Sequence, residues 1–382
     1  MSKICEKGLW DNSIPDLTFD GEGVSNYAKI QDALMSAFPR GENGEEKWLE
    51  IIDQVKKNRR GDYDCIVGIS GGVDSSYLLY LITEKYGLRP LAVTLDNGWS
   101  SEIAVENIKK LTESLGVDLY THVIDYEEIK DLLRSYMFSG LPWIDTPTDS
   151  AIKALMYKAA REFGVKYIFR GNDFRSEGKQ PLDWTYSDNK QLKHVHRSYG
   201  KIKKLRTYPY LTLRSIIVNS LVYKIKDIRP FYYLDYNKSE ARDFLEKNFN
   251  WVYYGGHHHE NLFTKFVMSY WLPKKFGIDK RKISLSAQVM SGFISRKEAL
   301  EQIEKQPMDE REFIKMKPYI LSKLELTEAE FELIWSGENK TYRDYPSNLS
   351  IILYLRRKFG WIIKIIFQQV PMTFIALDTD KK

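Results

Sequence analysis

Cysteine is scarce in this chain: its 382 residues include only Cys5 and Cys65, too few for a disulfide framework at this length. No run of about 18 uncharged apolar residues occurs, so we predict no membrane-spanning helix. The first residues also lack the apolar centre of a secretion signal. With 57 basic and 52 acidic residues, the net charge of +5 is too small to make nucleic acid the expected partner. We therefore expect a cytoplasmic protein with reduced thiols.

Two common phosphate-binding signatures are missing as well. The chain has no Gly-Lys-Ser/Thr loop ending and no G-x-G-x-x-G fingerprint, which excludes a Walker A loop and the usual dinucleotide site. In their place, Ile-Ser-Gly-Gly-Val-Asp-Ser-Ser at 69–76 joins an apolar run to a helical pattern. Such a turn points backbone N–H groups and a positive helix end at one spot, and its glycines admit phosphate oxygens. We predict a phosphate site made of Ser70, Gly71, Gly72, Asp74, Ser75 and Ser76, with Asp74 as a Mg²⁺ ligand.

Apolar runs alternate with amphipathic helical patterns over residues 62–171, which is typical of a parallel sheet with helices on both faces. We therefore predict an α/β fold. The predicted strands are residues 64–69, 89–95, 118–124 and 166–169. In open α/β sheets, ligands bind outside the carboxyl ends of the strands. Asp96, Gly171 and Asn172 follow such strand ends, so we expect them to line the same crevice as the phosphate loop.

The segment Ser70–Ser75 (SGGVDS) resembles the pyrophosphate-binding loop of the PP-loop ATP pyrophosphatases, which cut ATP between the α and β phosphates. Further motifs extend the resemblance over about residues 5–305, to the N-acetyl sugar amidotransferases of bacterial surface-polysaccharide synthesis, such as lipopolysaccharide and O-antigen. Those motifs lie at residues 15–24, 253–258, 263–266 (FTKF), 272–281 (LPKKFGIDKR), 285–286, 291–292 and 296–300.

The resemblance implies a reaction in which an acetamido group of an N-acetyl sugar, expected to be nucleotide-linked, becomes an acetamidino group. ATP with Mg²⁺ forms an O-adenylated imidate, and ammonia then displaces AMP. The protein's main tasks are to position the reactants and to stabilise charge on the leaving phosphates. Within the matching motifs, the candidate catalytic residues are Asp74, Lys265, Lys275 and Arg281, and Lys280 is a candidate for substrate binding. His258 and Glu260 are also candidates for substrate binding, because the adjoining glycines at 255 and 256 allow close approach of the backbone.

The resemblance also implies a separate source of ammonia. Asparagine-synthetase-like relatives carry a glutaminase with an N-terminal Cys, whereas residue 2 is Ser here. We therefore expect a glutaminase and a cyclase-like subunit as partners. The family usually has two Cys-x-x-Cys-like pairs near its N-terminus, which suit a structural Zn²⁺. The corresponding positions here are Cys5 with Gly8, and Ser25 with Ala28, so we expect no zinc.

We predict three segments along the chain. Residues 1–60 form an N-terminal segment, residues 61–255 an ATP-binding α/β domain with a basic insertion at 188–230, and residues 256–382 a helical region that completes the active site. The last segment ends in an amphipathic tail at 348–376. That tail is interpreted as a packed helix, a docking surface for a partner, or a peripheral membrane contact.

The stretch Lys190–Lys226 has ten Lys or Arg residues and no acidic residue. Three interpretations remain open for it: a solvated basic face, a lip for the phosphates of a nucleotide-sugar, or an RNA-binding surface. The competing function is therefore a tRNA-modifying PP-loop enzyme of the lysidine or thiolation type. Two isolated cysteines argue against thiolation, and neither type explains the FTKF and LPKKFGIDKR motifs.

Overall fold

The computed structural model describes residues 3–256, 259–366, 369 and 371–379. Within these ranges the chain forms one sheet of five parallel strands. The strands are β1 Cys65–Gly68, β2 Pro90–Asp96, β3 Leu119–Val123, β4 Tyr167–Phe169 and β5 Lys226–Ile228. Their order across the sheet is β3-β2-β1-β4-β5, so the phosphate-loop strand β1 lies at the centre.

The central strand β1 is apolar throughout because both of its faces are covered. Cys65 and Val67 face one hydrophobic core, whereas Ile66 faces a second core on the opposite side of the sheet. A strand buried on both faces is expected to be continuously apolar rather than alternating. The predicted α/β fold with helices on both faces is thus confirmed.

The structure describes eighteen α-helices, most of which begin at a side-chain cap of the Ser, Thr, Asp or Asn type. They are α1 Asn26–Ala37, α2 Glu42–Lys57, α3 Val73–Tyr80, α4 Glu102–Leu115, α5 Tyr126–Phe138, α6 Thr146–Glu162, α7 Phe174–Glu177, α8 Leu182–Thr185, α9 Asn189–Tyr199, α10 Leu213–Leu221, α11 Lys238–Phe249, α12 Leu262–Phe266, α13 Arg281–Met290, α14 Arg296–Glu304, α15 Glu310–Leu324, α16 Glu328–Ser336, α17 Leu349–Ile366 and α18 Met372–Thr379. Wider π-helical turns extend α3 over Leu81–Lys85 and α12 over Val267–Phe276. No helix among the described residues is long and apolar enough to cross a bilayer.

The hydrophobic cores cross the boundaries of the three predicted segments. One core joins Cys5 and Trp10 of the N-terminal segment to residues of α5, α12 and α15. Another joins α1 and α2 to the sheet and to α11. The division into three segments stays a prediction, and the packing ties each of them to the others.

The N-terminal segment holds its shape through packing around Cys5. The Ser25 N–H donates to Cys5 Sγ at 3.2 Å, and the Ser25 hydroxyl caps α1. A Cβ at Gly8 would lie 2.6 Å from the Trp10 ring. The indole therefore occupies the space that a side chain at Gly8 would need. Among the described residues, no group of three His, Cys, Asp or Glu side chains could hold a metal. The absence of zinc remains a prediction.

Candidate functional site

The phosphate loop runs from the end of β1 into the first turn of α3. Gly71 has φ +78°, and a Cβ there would lie 2.3 Å from the carbonyl oxygen of Ala104. Only glycine therefore fits at this point of the turn. The loop is braced from within, since the Ser70 N–H donates to Ser75 Oγ at 3.2 Å and the two hydroxyls lie 3.3 Å apart. Ser70 stays exposed and Ser75 is half-buried, which leaves both hydroxyls within reach of a ligand.

Gly171, which follows β4, packs directly on this loop. A Cβ at Gly171 would lie 2.8 Å from the Asp74 carbonyl carbon and 3.0 Å from the Ser75 amide nitrogen. The backbone of the β4 end therefore sits in contact with the first turn of α3. The structure thus brings Gly171 to the loop, as the sequence predicted for the strand ends, while the side chain of Asn172 donates to Glu177.

Asp74 is held by two residues of the segment that follows β5. The Tyr236 hydroxyl donates to Asp74 Oδ1, and Lys238 Nζ donates to Asp74 Oδ2 at 2.7 Å. Lys238 is the first residue of α11, which the Asn237 side chain caps. Burial alone lowers the pKa of Lys238, but Asp74, Glu177 and Glu260 together hold it above its usual value. Lys238 is thus a fully charged cation at the phosphate loop.

Two further carboxylates surround that cation. Glu177, at the end of α7, accepts from Asn172 Nδ2 at 3.3 Å. The Glu260 side chain approaches the loop from the other side, with Oε1 placed 3.2 Å from where a Cβ at Gly72 would lie. The Tyr254 hydroxyl accepts from the Val73 N–H at 3.3 Å. The site therefore combines donors of the loop with one lysine and three carboxylates.

The segment carrying Glu260 is fixed against the end of β2. The Ser101 N–H donates to the Glu260 carbonyl at 2.8 Å, and the Leu262 N–H donates to the Trp99 carbonyl at 2.9 Å. Asp96, at the carboxyl end of β2, is exposed, and its carboxylate accepts from the Gly98 N–H at 2.9 Å. Three predicted strand ends and the C-terminal region therefore meet at one edge of the sheet.

Lys280 lies against an aromatic ring at the start of α13. Its Nζ is 3.8 Å from the centroid of the Trp143 ring, and Trp143 donates to Asp149 at 2.7 Å. Burial lowers the pKa of Lys280 to about 8, although Asp149, Glu177 and Asp145 oppose the shift. The interaction with Glu177 connects Lys280 to the group around Lys238.

The lowered pKa of Lys280 makes stability depend on pH. The folded chain releases this proton near pH 8, while the unfolded chain keeps it until about pH 10.4. Between those values the unfolded state binds more protons, so the free energy of unfolding rises with pH. Compared with Lys280→Met, the free energy of unfolding of the wild type should rise by about 2 kcal/mol between pH 7.5 and 9.5, as measured by urea unfolding.

The control for this comparison is Lys297→Met, because the Lys297 side chain is 87% exposed. Its difference from the wild type should stay constant over the same pH range. A Lys280→Met difference that also stays constant would show that the Lys280 ammonium is not desolvated in the folded protein.

The three predicted catalytic cations are paired within the C-terminal region itself. Lys265 pairs with Glu312 at 2.5 Å. Lys275 donates to the carbonyls of Trp335 and Gly337, each at 2.8 Å. Arg281 forms a bidentate pair with Asp279, with its shortest bond at 2.6 Å. None of these contacts is with the phosphate loop, and the catalytic role of the three residues stays a prediction.

Two other predicted site residues, Ser76 and His258, are not seen at the crevice. Ser76 is fully buried, and its Oγ accepts from Trp251 Nε1 at 3.2 Å, so it faces the core rather than the crevice. His258 lies outside the described residues.

The basic insertion folds as α9, a loop and α10. Two carboxylates of α5 hold its loop: Asp131 accepts from the backbone of Lys201 and Ile202, and Glu128 accepts from the backbone of Tyr208. Tyr208, Tyr210, Lys153 and Ile216 are among the residues that line a cavity of about 230 Å³ beside α6. Each of the three interpretations of this stretch remains open.

The sequence analysis missed Lys238, Tyr236 and Glu177. β5 has only three residues and lies near the end of the basic insertion 188–230, so no apolar run marks it in the sequence. Without that strand, Tyr236 and Lys238 could not be placed at a strand end. The available signal was the pair Asn237-Lys238, in which Asn237 caps the helix α11 that begins at Lys238.

The loop fits a nucleotide triphosphate. It presents the Ser70 and Ser75 hydroxyls, the N-terminus of α3 and the Lys238 ammonium together. Mg²⁺ is usually held by one or two carboxylates together with substrate phosphates rather than by a cage of protein ligands. Asp74 is the carboxylate of the loop that would hold it, once Lys238 turns to the phosphates.

Comparisons with known proteins agree with this geometry. Residues 50–172 match the family model described as asparagine synthase. Residues 260–358 match the model described as LPS biosynthesis protein WbpG-like, C-terminal domain. The first match contains the phosphate loop and the end of β4, and the second begins at Glu260.

Individual relatives match parts of the chain. An uncharacterized protein of Methanocaldococcus jannaschii is 31% identical over 35% of this chain and 47% of its own length. A glutamine-dependent NAD(+) synthetase of Aquifex aeolicus is 29% identical over 32% of this chain and 19% of its own length. The chain thus spans about half or less of these relatives. The solved NH3-dependent NAD synthetase of Campylobacter jejuni has 13% identity and a TM-score of 0.34, and the match covers 67% of this chain and 96% of that one.

Proposed function

We propose that this chain, in which a PP-loop ATP pyrophosphatase domain is joined to a WbpG-like C-terminal domain, is an ATP-dependent amidotransferase of surface-glycan synthesis. Its acceptor is proposed to be the acetamido group of an N-acetyl sugar.

The observation that carries the proposal is the position of Glu260. This first residue of the WbpG-like match lies against Gly72 of the phosphate loop, so one crevice combines ATP-binding groups with groups of the second domain.

The first step of the proposed reaction activates the amide. The amide oxygen attacks the α-phosphorus of ATP, the bond between the α-phosphorus and the bridging oxygen breaks, and pyrophosphate leaves. Ser70, Ser75, the N-terminus of α3 and Lys238 stabilise the charge that builds up on the leaving phosphates. Fixed donors of this kind act where charge develops and need no reorganisation during the reaction.

The second step replaces oxygen by nitrogen. Ammonia attacks the carbon of the O-adenylated imidate, the carbon–oxygen bond breaks, and AMP leaves with the oxygen. The attacking nitrogen must lose a proton. Lys280 is the proposed acceptor, because its Nζ lies against the Trp143 ring and burial lowers its pKa to about 8, which makes it partly neutral near physiological pH. Ammonia is proposed to come from a glutaminase with a cyclase-like subunit.

The test is the release of AMP and pyrophosphate from ATP with ammonium and a panel of UDP-N-acetyl sugars. The proposal expects equal amounts of AMP and of a sugar product lighter by the difference between O and NH. Ser70→Ala should abolish both products while the circular dichroism spectrum stays unchanged. Release of ADP would overturn the α,β-cleavage. AMP formation that depends on tRNA rather than on a sugar would favour the competing tRNA-modifying function.

A further inference from the structure

An apolar surface is exposed along α17 and on the neighbouring end of α10. On α17, Ile351, Tyr354, Leu355 and Phe359 are 38–48% exposed. Ile351, Tyr354 and Leu355 are spaced by three and four residues and so share one face of the helix, and Phe359 follows at a kink in α17. In an ordinary surface helix the apolar face points to the core, whereas here it points to solvent.

The second part of this surface belongs to the helix that packs against α17. Ile217, Leu221, Val222 and Tyr223, at the end of α10 and just after it, are also exposed. The two helices therefore present eight large apolar side chains together. Patches of this extent on a soluble protein mark an interaction site. We call these eight residues the α10–α17 surface.

The charges around the α10–α17 surface are mostly positive, although Glu162 of α6 lines a cavity together with Tyr223. Arg214, Lys224, Arg357 and Lys358 are exposed beside it, and neither Lys190–Lys226 nor Leu349–Ile366 contains an acidic residue. Two copies of this chain related by a two-fold axis would place these cations against each other, which disfavours self-association. The occupant must instead carry negative charge.

We propose that the α10–α17 surface docks on the headgroup region of an anionic lipid bilayer. An amphipathic helix with basic residues and an apolar face lies in the plane of such an interface, with its apolar side chains inserted among the lipids. Each nearby Lys or Arg adds attraction to the negative surface. Tyr223 and Tyr354 are aromatic side chains with a polar end, which is the type enriched at this depth. No spanning segment is required.

Vesicle co-sedimentation of the full chain tests the proposal without any sugar or ATP. We expect binding to phosphatidylcholine vesicles that contain about a third phosphatidylglycerol, loss of that binding at high salt, and little binding to pure phosphatidylcholine. Leu355→Glu should weaken binding about tenfold or more, because it places a charge on the inserted face. Arg357→Glu should weaken it to a similar extent.

The matched control is Leu333→Glu on α16, which makes the same change at a side chain that is 65% exposed. It should bind vesicles as the wild type does. Equal binding by Leu355→Glu and Leu333→Glu would overturn the proposal, and so would equal binding to neutral and anionic vesicles. A dimer in light scattering that Leu355→Glu dissociates would assign the surface to a second copy instead. None of these outcomes bears on the proposed ATP chemistry.

Discussion

Lys238→Ala is expected to lower kcat/KM for ATP by about 100-fold or more, since it removes a cation that contacts the phosphate loop. Lys238 is paired with Asp74 of the loop at 2.7 Å. Its ammonium is therefore close enough to turn to the phosphates, where pyrophosphate charge develops. The change should also weaken ATP binding measured by calorimetry, a readout that needs no sugar substrate.

Two variants separate charge from structure in this experiment. Lys247→Ala removes an exposed lysine from the same helix and should leave ATP binding unchanged. Lys238→Arg keeps a positive charge and should restore part of the activity, although a guanidinium does not reproduce the point charge of an ammonium. If Lys238→Ala turned over at the rate of Lys247→Ala, the proposed role of Lys238 would be wrong.

Gly171→Ala should have the second large effect, through a single added methyl group. The new Cβ would lie 2.8 Å from the Asp74 carbonyl carbon and 2.9 Å from its oxygen, distances at which the backbone must move. The neighbouring atoms belong to the first turn of α3, so the shift displaces the loop itself. Overpacking of this kind costs about 2 kcal/mol in the free energy of unfolding, and ATP affinity should fall about 100-fold as the loop donors lose alignment.

A second glycine supplies the control. A Cβ at Gly21 would have no heavy atom within 4 Å, so Gly21→Ala makes the same chemical change in open space. Urea unfolding and ATP titration should both match the wild type. If Gly171→Ala kept wild-type ATP affinity, the contact between the β4 end and α3 would not position the loop.

The part of the site closest to the loop could be predicted from the sequence because a strand, a Gly-rich turn and a helix are consecutive there. The periodicity of the chain gives four of the strands, and the rule for strand ends then brings Asp96, Gly171 and Asn172 to the same edge. The edge strand β5 was not predicted, because it is short, carries charged residues and is paired on one side only. With it the sequence missed Lys238.

For the three cations of the C-terminal region, the sequence suggests a role but does not give the contacts. Lys265, Lys275 and Arg281 lie in motifs that resemble a family, but a motif does not say which atom each side chain contacts. The structure gives them Glu312, two backbone carbonyls and Asp279 as partners. Lys280, one residue before Arg281, lies on an indole and interacts with Glu177 instead. Lys280 and Arg281 are adjacent in the sequence, but their side chains lie in different surroundings because they leave the start of α13 in different directions.

The burial of both cysteines gives the protein a practical property. Cys5 and Cys65 are inaccessible to solvent, and burial raises the pKa of the Cys65 thiol, so neither is a ready nucleophile. A cysteine introduced by Lys247→Cys would therefore be the reactive thiol on α11, the helix that begins at Lys238. A fluorophore attached there in a single labelling step could follow, in real time, how this helix responds when a nucleotide draws Lys238 away from Asp74.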